Sequence, residues 1–329
     1  MSRKLGSRGP GVCLSFALLI LFVSQSSGVQ GALDVNYYIT KCPMVETVVR
    51  QWLVANVFTD PTGPAALIRL VFHDCAVNGC DGSVLLDSQP GIQSELDSDG
   101  NFGIRDIRFI DSIKAAVELV CPGVVSCTDI LALAARDCVS LTGGPMITIP
   151  LGRKDGRRAS NLAADRQLPP ADISVPAFLS EFSRMGMSPK EAVAIIGAHT
   201  VGVGHCVNVL NRLYPQQDPT LSPMMAGQLI TSCPTSNAQL LNNLTILAND
   251  LTNFVFDNQY FRDIQAGRGL FTIDSNLGLH PITAPIVNGF ALNQADFFQT
   301  FSAAFVKMTA TGVLLDGQGE VRTNCHRVN

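Results

Sequence analysis

One stretch limits the architecture of this chain more than any other: Arg69-Leu70-Val71-Phe72-His73-Asp74-Cys75-Ala76-Val77-Asn78-Gly79-Cys80-Asp81-Gly82-Ser83. If its first half is helical, Arg69 and His73 stand four residues apart on one face. The second half is broken by Gly79 and Gly82 and adds Asp81, Ser83 and Cys80 to Asp74 and Cys75. A fixed cation beside an ionisable imidazole points to charge and proton handling. The oxygen-rich loop directly behind it points to a hard metal ion of the calcium type.

The remaining pattern is dominated by helices. Apolar residues recur at three- and four-residue spacing over Glu46 to Phe58, Pro64 to Val77, Ile107 to Val120, Cys127 to Leu141, Val175 to Met185 and Pro189 to Ile196. With Gly or Pro between most of these runs, the spacing predicts an all-α fold. Phe297, Phe298, Phe301, Phe305 and Met308 form a stripe that reads as core packing and ends before Gly312. Strand-like alternation is scarce, and Met146 to Ile149 is its best instance. Gly152 to Pro170, poor in large apolar residues, reads as a long surface connection between two helical halves.

Arg3, Lys4 and Arg8 precede an apolar run from Gly11 to Val23, followed by small and polar residues to Ala32. That layout predicts a secretory signal peptide over residues 1–31, cleaved between about Gly28 and Ala32. As a membrane anchor the run is too short, roughly 13 residues against the ~20 that span a bilayer. Loss of the leader removes three cations and no acid, taking the formal net charge from -4 to about -7. That charge argues against nucleic acid as a partner. About 300 residues remain, enough for one domain or two closely packed lobes. Cys13 lies in the leader, leaving Cys42, Cys75, Cys80, Cys121, Cys127, Cys138, Cys206, Cys233 and Cys325. An odd number in an oxidising compartment predicts four bridges and one thiol, with connectivity open. Asn243-Leu244-Thr245 is a glycosylation acceptor.

Five histidines are present, His73, His199, His205, His280 and His326. His199 follows Gly197 and Ala198, small residues that admit a bulky planar group. His280 and His326 read as surface residues. Two unlike histidines brought together in space suit a haem iron with one ligand and one acid/base group. Zinc on His199, His205 and Cys206 is the competing metal reading, though it lacks the tight ligand pairs of a closed site.

These residues resemble the plant secretory haem peroxidases, the class III branch of the plant, fungal and bacterial peroxidase superfamily. The resemblance covers essentially all of the chain after the leader. Beyond the opening stretch it rests on Cys121-Pro-Gly-Val-Val-Ser-Cys127, Gly143-Gly144-Pro145, Leu151-Gly152-Arg153, Gly197-Ala-His-Thr200, Phe256-Asp257-Asn258, Gly319-Glu-Val-Arg322 and Asn324-Cys325. It implies a two-lobed helical fold over 32–329, with haem between the lobes. The distal lobe would run over about 32–170 plus the C-terminal segment, and the proximal lobe over about 171–300.

It also implies roles. His199 would be the axial ligand of one haem b, with Asp274 on its other ring nitrogen. His73 would be the distal base, Arg69 the group that stabilises charge as the O–O bond of hydrogen peroxide breaks, and Asn101 the holder of His73. Glu95 would link this network to a distal calcium on Asp74, Val77, Gly79, Asp81 and Ser83. A proximal calcium would use Thr200, Thr252, the Val255 carbonyl and Asp257; Asn249 stands at the aspartate position, so one negative ligand is missing. Pro169 would line the entrance for phenolic donors, oxidised in two one-electron steps after a high-valent haem state. The implied bridges are Cys42-Cys121, Cys75-Cys80, Cys127-Cys325 and Cys206-Cys233, with Cys138 a small buried hydrophobe. Asp129 and Arg153 match a buried ion pair. Ala76, Ile196 and Ile273 depart from the family pattern near these groups. A secreted monomer of the cell wall, apoplast or vacuole is expected, and the other class of function is a peroxidase-fold binding or structural protein with little turnover.

Overall fold

Helical periodicity carries over almost residue for residue. The computed structural model describes residues 32–234 and 243–329, so the expected leader lies outside the described residues. On the N-terminal side are α1 (Val45–Thr59), α2 (Gly63–Ala76), α3 (Ile107–Val120), α4 (Cys127–Leu141) and α5 (Asn161–Gln167). They are followed by α6 (Val175–Arg184), α7 (Pro189–Ile196), α8 (Pro223–Ser232), α9 (Gln259–Gln265), α10 (Thr272–Leu279), α11 (Ala284–Leu292) and α12 (Gln294–Thr309). Side-chain oxygens of Ser126, Ser160, Ser174, Ser188 and Ser222 cap α4 to α8 in turn, each satisfying an N–H that the first turn leaves free. The only sheet among the described residues is an antiparallel pair, β1 (Val203–His205) and β2 (Ile246–Ala248), with Gly204 opposite Leu247. No helix among the described residues is long and apolar enough to cross a membrane.

Two packing centres position the site. Helix α2 lies chiefly on α4, which also receives α1, and from α4 nearly every residue between Cys127 and Val139 is buried. Helix α12 lies on α7 and also touches α2. Its stripe of Phe297, Phe301, Phe305 and Met308 is buried, and Phe256, Phe261 and Phe290 interlock with it. The four bridges pair as the resemblance implied, and Cys138 is a buried free thiol.

Three expectations fail. Met146 to Ile149 alternates in burial, Met146 out and Ile147 and Ile149 in, but finds no partner strand among the described residues; the nearest pairing there is the single bridge from Leu151 to Asp34. Gly152 to Pro170 is not a surface connection. Arg153 and Asp155 are fully buried and residues 161–167 are helical. Burial of charge is possible there because the arginine is paired with an acid and the aspartate is hydrogen-bonded. Arg153 pairs with Asp129 at 2.8 Å, and Asp155 takes the N–H groups of Cys127, Thr128 and Arg322. His326 is buried at 6% exposure, because the C-terminal segment is strapped down by Cys127-Cys325. Its Nε2 meets Asp111, and its Nδ1 lies 3.5 Å from Asp87.

Candidate active site

Helix α2 opens with Pro64 in its first turn and presents Arg69 and His73 one turn apart. His73 is buried, and its Nδ1 lies 2.6 Å from Asn101 Oδ1. The Asn101 amide donates in turn to the Glu95 carbonyl at 2.7 Å. A carbonyl only accepts, so the amide orientation follows, and Asn101 Oδ1 must face an N–H. His73 therefore carries its proton on Nδ1 and keeps a lone pair on Nε2. Burial, and then the neighbouring Arg69 charge, push this imidazole down to about 3. It is a neutral base at any ordinary pH.

Arg69 donates through Nη2 to the Phe102 carbonyl at 3.0 Å. A Cβ added at Gly103 would lie 3.6 Å from both Arg69 Nη1 and His205 Nε2, so His205 on β1 shares a wall with Arg69. Phe102 closes that wall edge-on to His205, with ring centroids 5.5 Å apart. Leu168, just before the half-buried Pro169, packs over Gly100 beside Asn101.

The second histidine is delivered by α7. A Ser188/Glu191 capping box and Pro189 start this helix, and it tightens into a 3-10 turn over Gly197–Thr200 that presents His199. Gly197 is required there, since a Cβ would lie 2.6 Å from the Phe297 ring and 2.7 Å from Phe261. His199 Nδ1 lies 3.1 Å from Asp274 Oδ1, and no hydrogen bond to its Nε2 exists among the described residues. Asp274 is buried and also accepts from the Phe271 N–H and the Tyr260 hydroxyl, each at 2.8 Å. Shortly after His199 the chain crosses α2 so closely that a Cβ on Gly202 would lie 2.8 Å from Ala65. The two histidine-bearing elements are thus in direct contact.

Behind His73 the chain turns through Asn78 and Gly79, both at positive φ. Gly79 lies against the Gly312 backbone, with no room for a Cβ. Asp74 Oδ2 accepts from the Gly82 N–H at 3.0 Å, and Asp81 Oδ1 from the Ser83 N–H at 3.0 Å. Burial raises both carboxyls, and the Asp81 charge raises Asp74 further. Ser83 Oγ and both Glu95 carboxyl oxygens are buried without partners, and burial pushes Glu95 up to about 8. Unpartnered oxygens beside two buried carboxyls are the type of donor a hard cation takes. Glu95 supports Asn101 by its backbone carbonyl, not its carboxyl.

The second oxygen cluster differs from the expectation. Thr200 Oγ1 lies 2.7 Å from Asp250 Oδ2 and 3.2 Å from Asp257 Oδ1. Thr252 Oγ1 lies 3.4 Å from Asp250 and 3.2 Å from Asp257. Asn249 instead sends its amide to the Val201 carbonyl at 3.3 Å. Asp250, rather than residue 249, is the acid that meets both threonine hydroxyls alongside Asp257. Two hydroxyl protons serve four oxygen contacts here, so two contacts have no proton and favour a cation. The zinc reading fails because Cys206 is bonded to Cys233. Sequence reasoning missed Tyr260 and the place of His205, neither of which leaves a local signal.

A helical fold with two unlike histidines, each oriented by an oxygen acceptor and each with a free Nε2, defines a haem-peroxidase type of site. The family model for peroxidases matches residues 45–293, and the chain belongs to the peroxidase family. It is 46% identical to Peroxidase 29 of Arabidopsis thaliana over 90% of this chain and 89% of that protein. It is also 39% identical to Peroxidase 5 of Vitis vinifera, over 96% of this chain and 97% of the relative, and 40% identical to Peroxidase 57 of Arabidopsis thaliana, over 97% and 99%.

Proposed function

We propose that the protein is a secreted peroxidase that uses hydrogen peroxide to oxidise phenolic donors. The observation that carries this reading is the pair of histidines fixed in complementary ways, His73 by Asn101 at 2.6 Å and His199 by Asp274 at 3.1 Å. Haem b fits between them on the criteria the donors offer: a free Nε2 on His199, small Ala198 beside it, and a neutral base with a cation on the other element. When bound, the haem iron supplies the electrons that peroxide takes and the donors return.

His73 Nε2 takes a proton from one peroxide oxygen and delivers it to the other, which departs as water. Arg69, held by the Phe102 carbonyl, keeps Nε and Nη1 free to meet the negative charge that develops as the O–O bond breaks. Overall, one hydrogen peroxide and two phenols become two waters and two phenoxyl radicals. Donors approach past Pro169, Phe102 and His205. A binding or structural role needs none of this, and His73 held neutral at depth has no other use in such a protein. Absorption spectroscopy of the haem-loaded protein tests the reading: peroxide should shift the Soret band, and a phenol should restore it. An unmoved band would sink the enzyme reading.

Two calcium ions are expected. Asp74, Val77, Gly79, Asp81 and Ser83 would hold the distal one, and Thr200, Thr252, Val255, Asp257 and Asp250 the proximal one. Metal analysis should return about two calcium ions per chain, falling to about one in Asp250→Asn and staying at about two in Asn249→Ala. The reverse pattern would return the role to Asn249. Secretion to the wall, apoplast or vacuole as a monomer, with glycan on the half-buried Asn243, completes the proposal.

A further inference from the structure

We propose that Tyr260 is a positioning residue whose hydroxyl limits how strongly Asp274 draws on the Nδ1 proton of His199. The inference rests on His199 as the axial ligand. Asp274 and Tyr260 are 1% and 2% exposed. On the single oxygen Asp274 Oδ1 two donors converge, His199 Nδ1 at 3.1 Å and the Tyr260 hydroxyl at 2.8 Å. The shorter contact belongs to the tyrosine. The other oxygen is occupied by the Phe271 N–H at 2.8 Å.

Every donor to a carboxylate stabilises its charged form and makes it a weaker base. In a dry interior that effect is larger than in water. Tyr260 therefore weakens Asp274 as an acceptor for His199, and the imidazole keeps its proton and less anionic character. An imidazole with less anionic character donates less charge through Nε2, which raises the reduction potential of any iron bound there. Removing the hydroxyl should do the opposite.

The geometry leaves Tyr260 little choice. Its ring stands edge-on to His199, with centroids 5.8 Å apart, and edge-on to Phe261 at 5.0 Å. Burial, and then the Asp274 charge, raise the phenol well above its ordinary value, so it stays a donor at any ordinary pH. Tyr260 also lies three residues after Asp257, whose carboxylate contacts the Thr200 hydroxyl at 3.2 Å. The start of α9 thus reaches both His199's partner and His199's neighbour.

The test uses the haem-loaded protein. In Tyr260→Phe the ferric/ferrous midpoint should fall by about one tenfold change in the one-electron equilibrium, about 59 mV. The iron–histidine stretch of the ferrous form should rise in resonance Raman spectra. Site-specific 3-fluorotyrosine at 260, a more acidic donor of nearly the same shape, should move both readings the other way. Unshifted readings in Tyr260→Phe with haem bound overturn the proposal. So do unshifted readings in the fluorinated protein, should Tyr260→Phe lose haem. Absence of an iron–histidine band in the parent protein would instead overturn the axial assignment of His199.

Discussion

Replacing His73 with leucine should slow peroxide cleavage roughly 10³- to 10⁴-fold, the upper part of the range for a positioned base, while haem remains bound. Leucine fills similar space but removes the Nε2 lone pair, and Arg69 and the His199–Asp274 pair lie on other contacts. Stopped-flow mixing with peroxide reads the rate directly, and a near-parental rate would strip His73 of the role. Asn101→Ala should give a smaller loss, because the imidazole stays but its Nδ1 proton is no longer anchored at 2.6 Å from an acceptor. The pH dependence has a definite sign. Burial and Arg69 depress His73 to about 3, so the base is neutral and active above that value and is lost as pH falls through it. The cleavage rate should stay flat on the acid side far below the ordinary histidine range. A fall centred near pH 6.5 would mean that His73 is solvated like a free imidazole.

The second large effect is on stability. Replacing Arg153 by methionine should cost about 3 to 5 kcal/mol, because Asp129 is left as a buried charge without its partner. The pair is 2.8 Å apart with both side chains at 0% exposure. Asp129 also accepts from the Tyr38 hydroxyl and the Gly152 N–H, each at 2.7 Å. Arg153 donates to the Thr309 and Pro150 carbonyls at 2.7 Å and 2.8 Å. One network thus ties the N-terminal segment, α4 and the end of α12. A loss of that size corresponds to a fall in Tm of roughly 6 to 15 °C. Asp129→Leu combined with Arg153→Met should recover most of it, since the double change removes both charges. A single variant that melts like the parent would show that the network contributes nothing net.

Much of this protein was legible in the residues themselves. Helices α3, α4 and α7 begin and end where periodicity places them, with serine caps on α4 and α7, because capping and amphipathic burial are decided within a few residues. Arg69 and His73 share a helix face for the same local reason, and the glycine-broken loop behind them is a feature of consecutive residues. The four bridges and the roles of His199, Asp274 and Asn101 came from resemblance, since pairing over separations up to 198 residues has no local signal. Tertiary structure alone decided the rest. Asp155 and His326 look like surface residues in sequence and are buried because distant partners saturate or pair with them. Asp250 meets the Thr200 hydroxyl through a separation of 50 residues that leaves no local trace. Tyr260 meets Asp274 through a fold that sets α9 beside α10. Local hydrogen bonding and periodicity are written along the chain, whereas desolvation and ligand convergence depend on which segments the packing brings together.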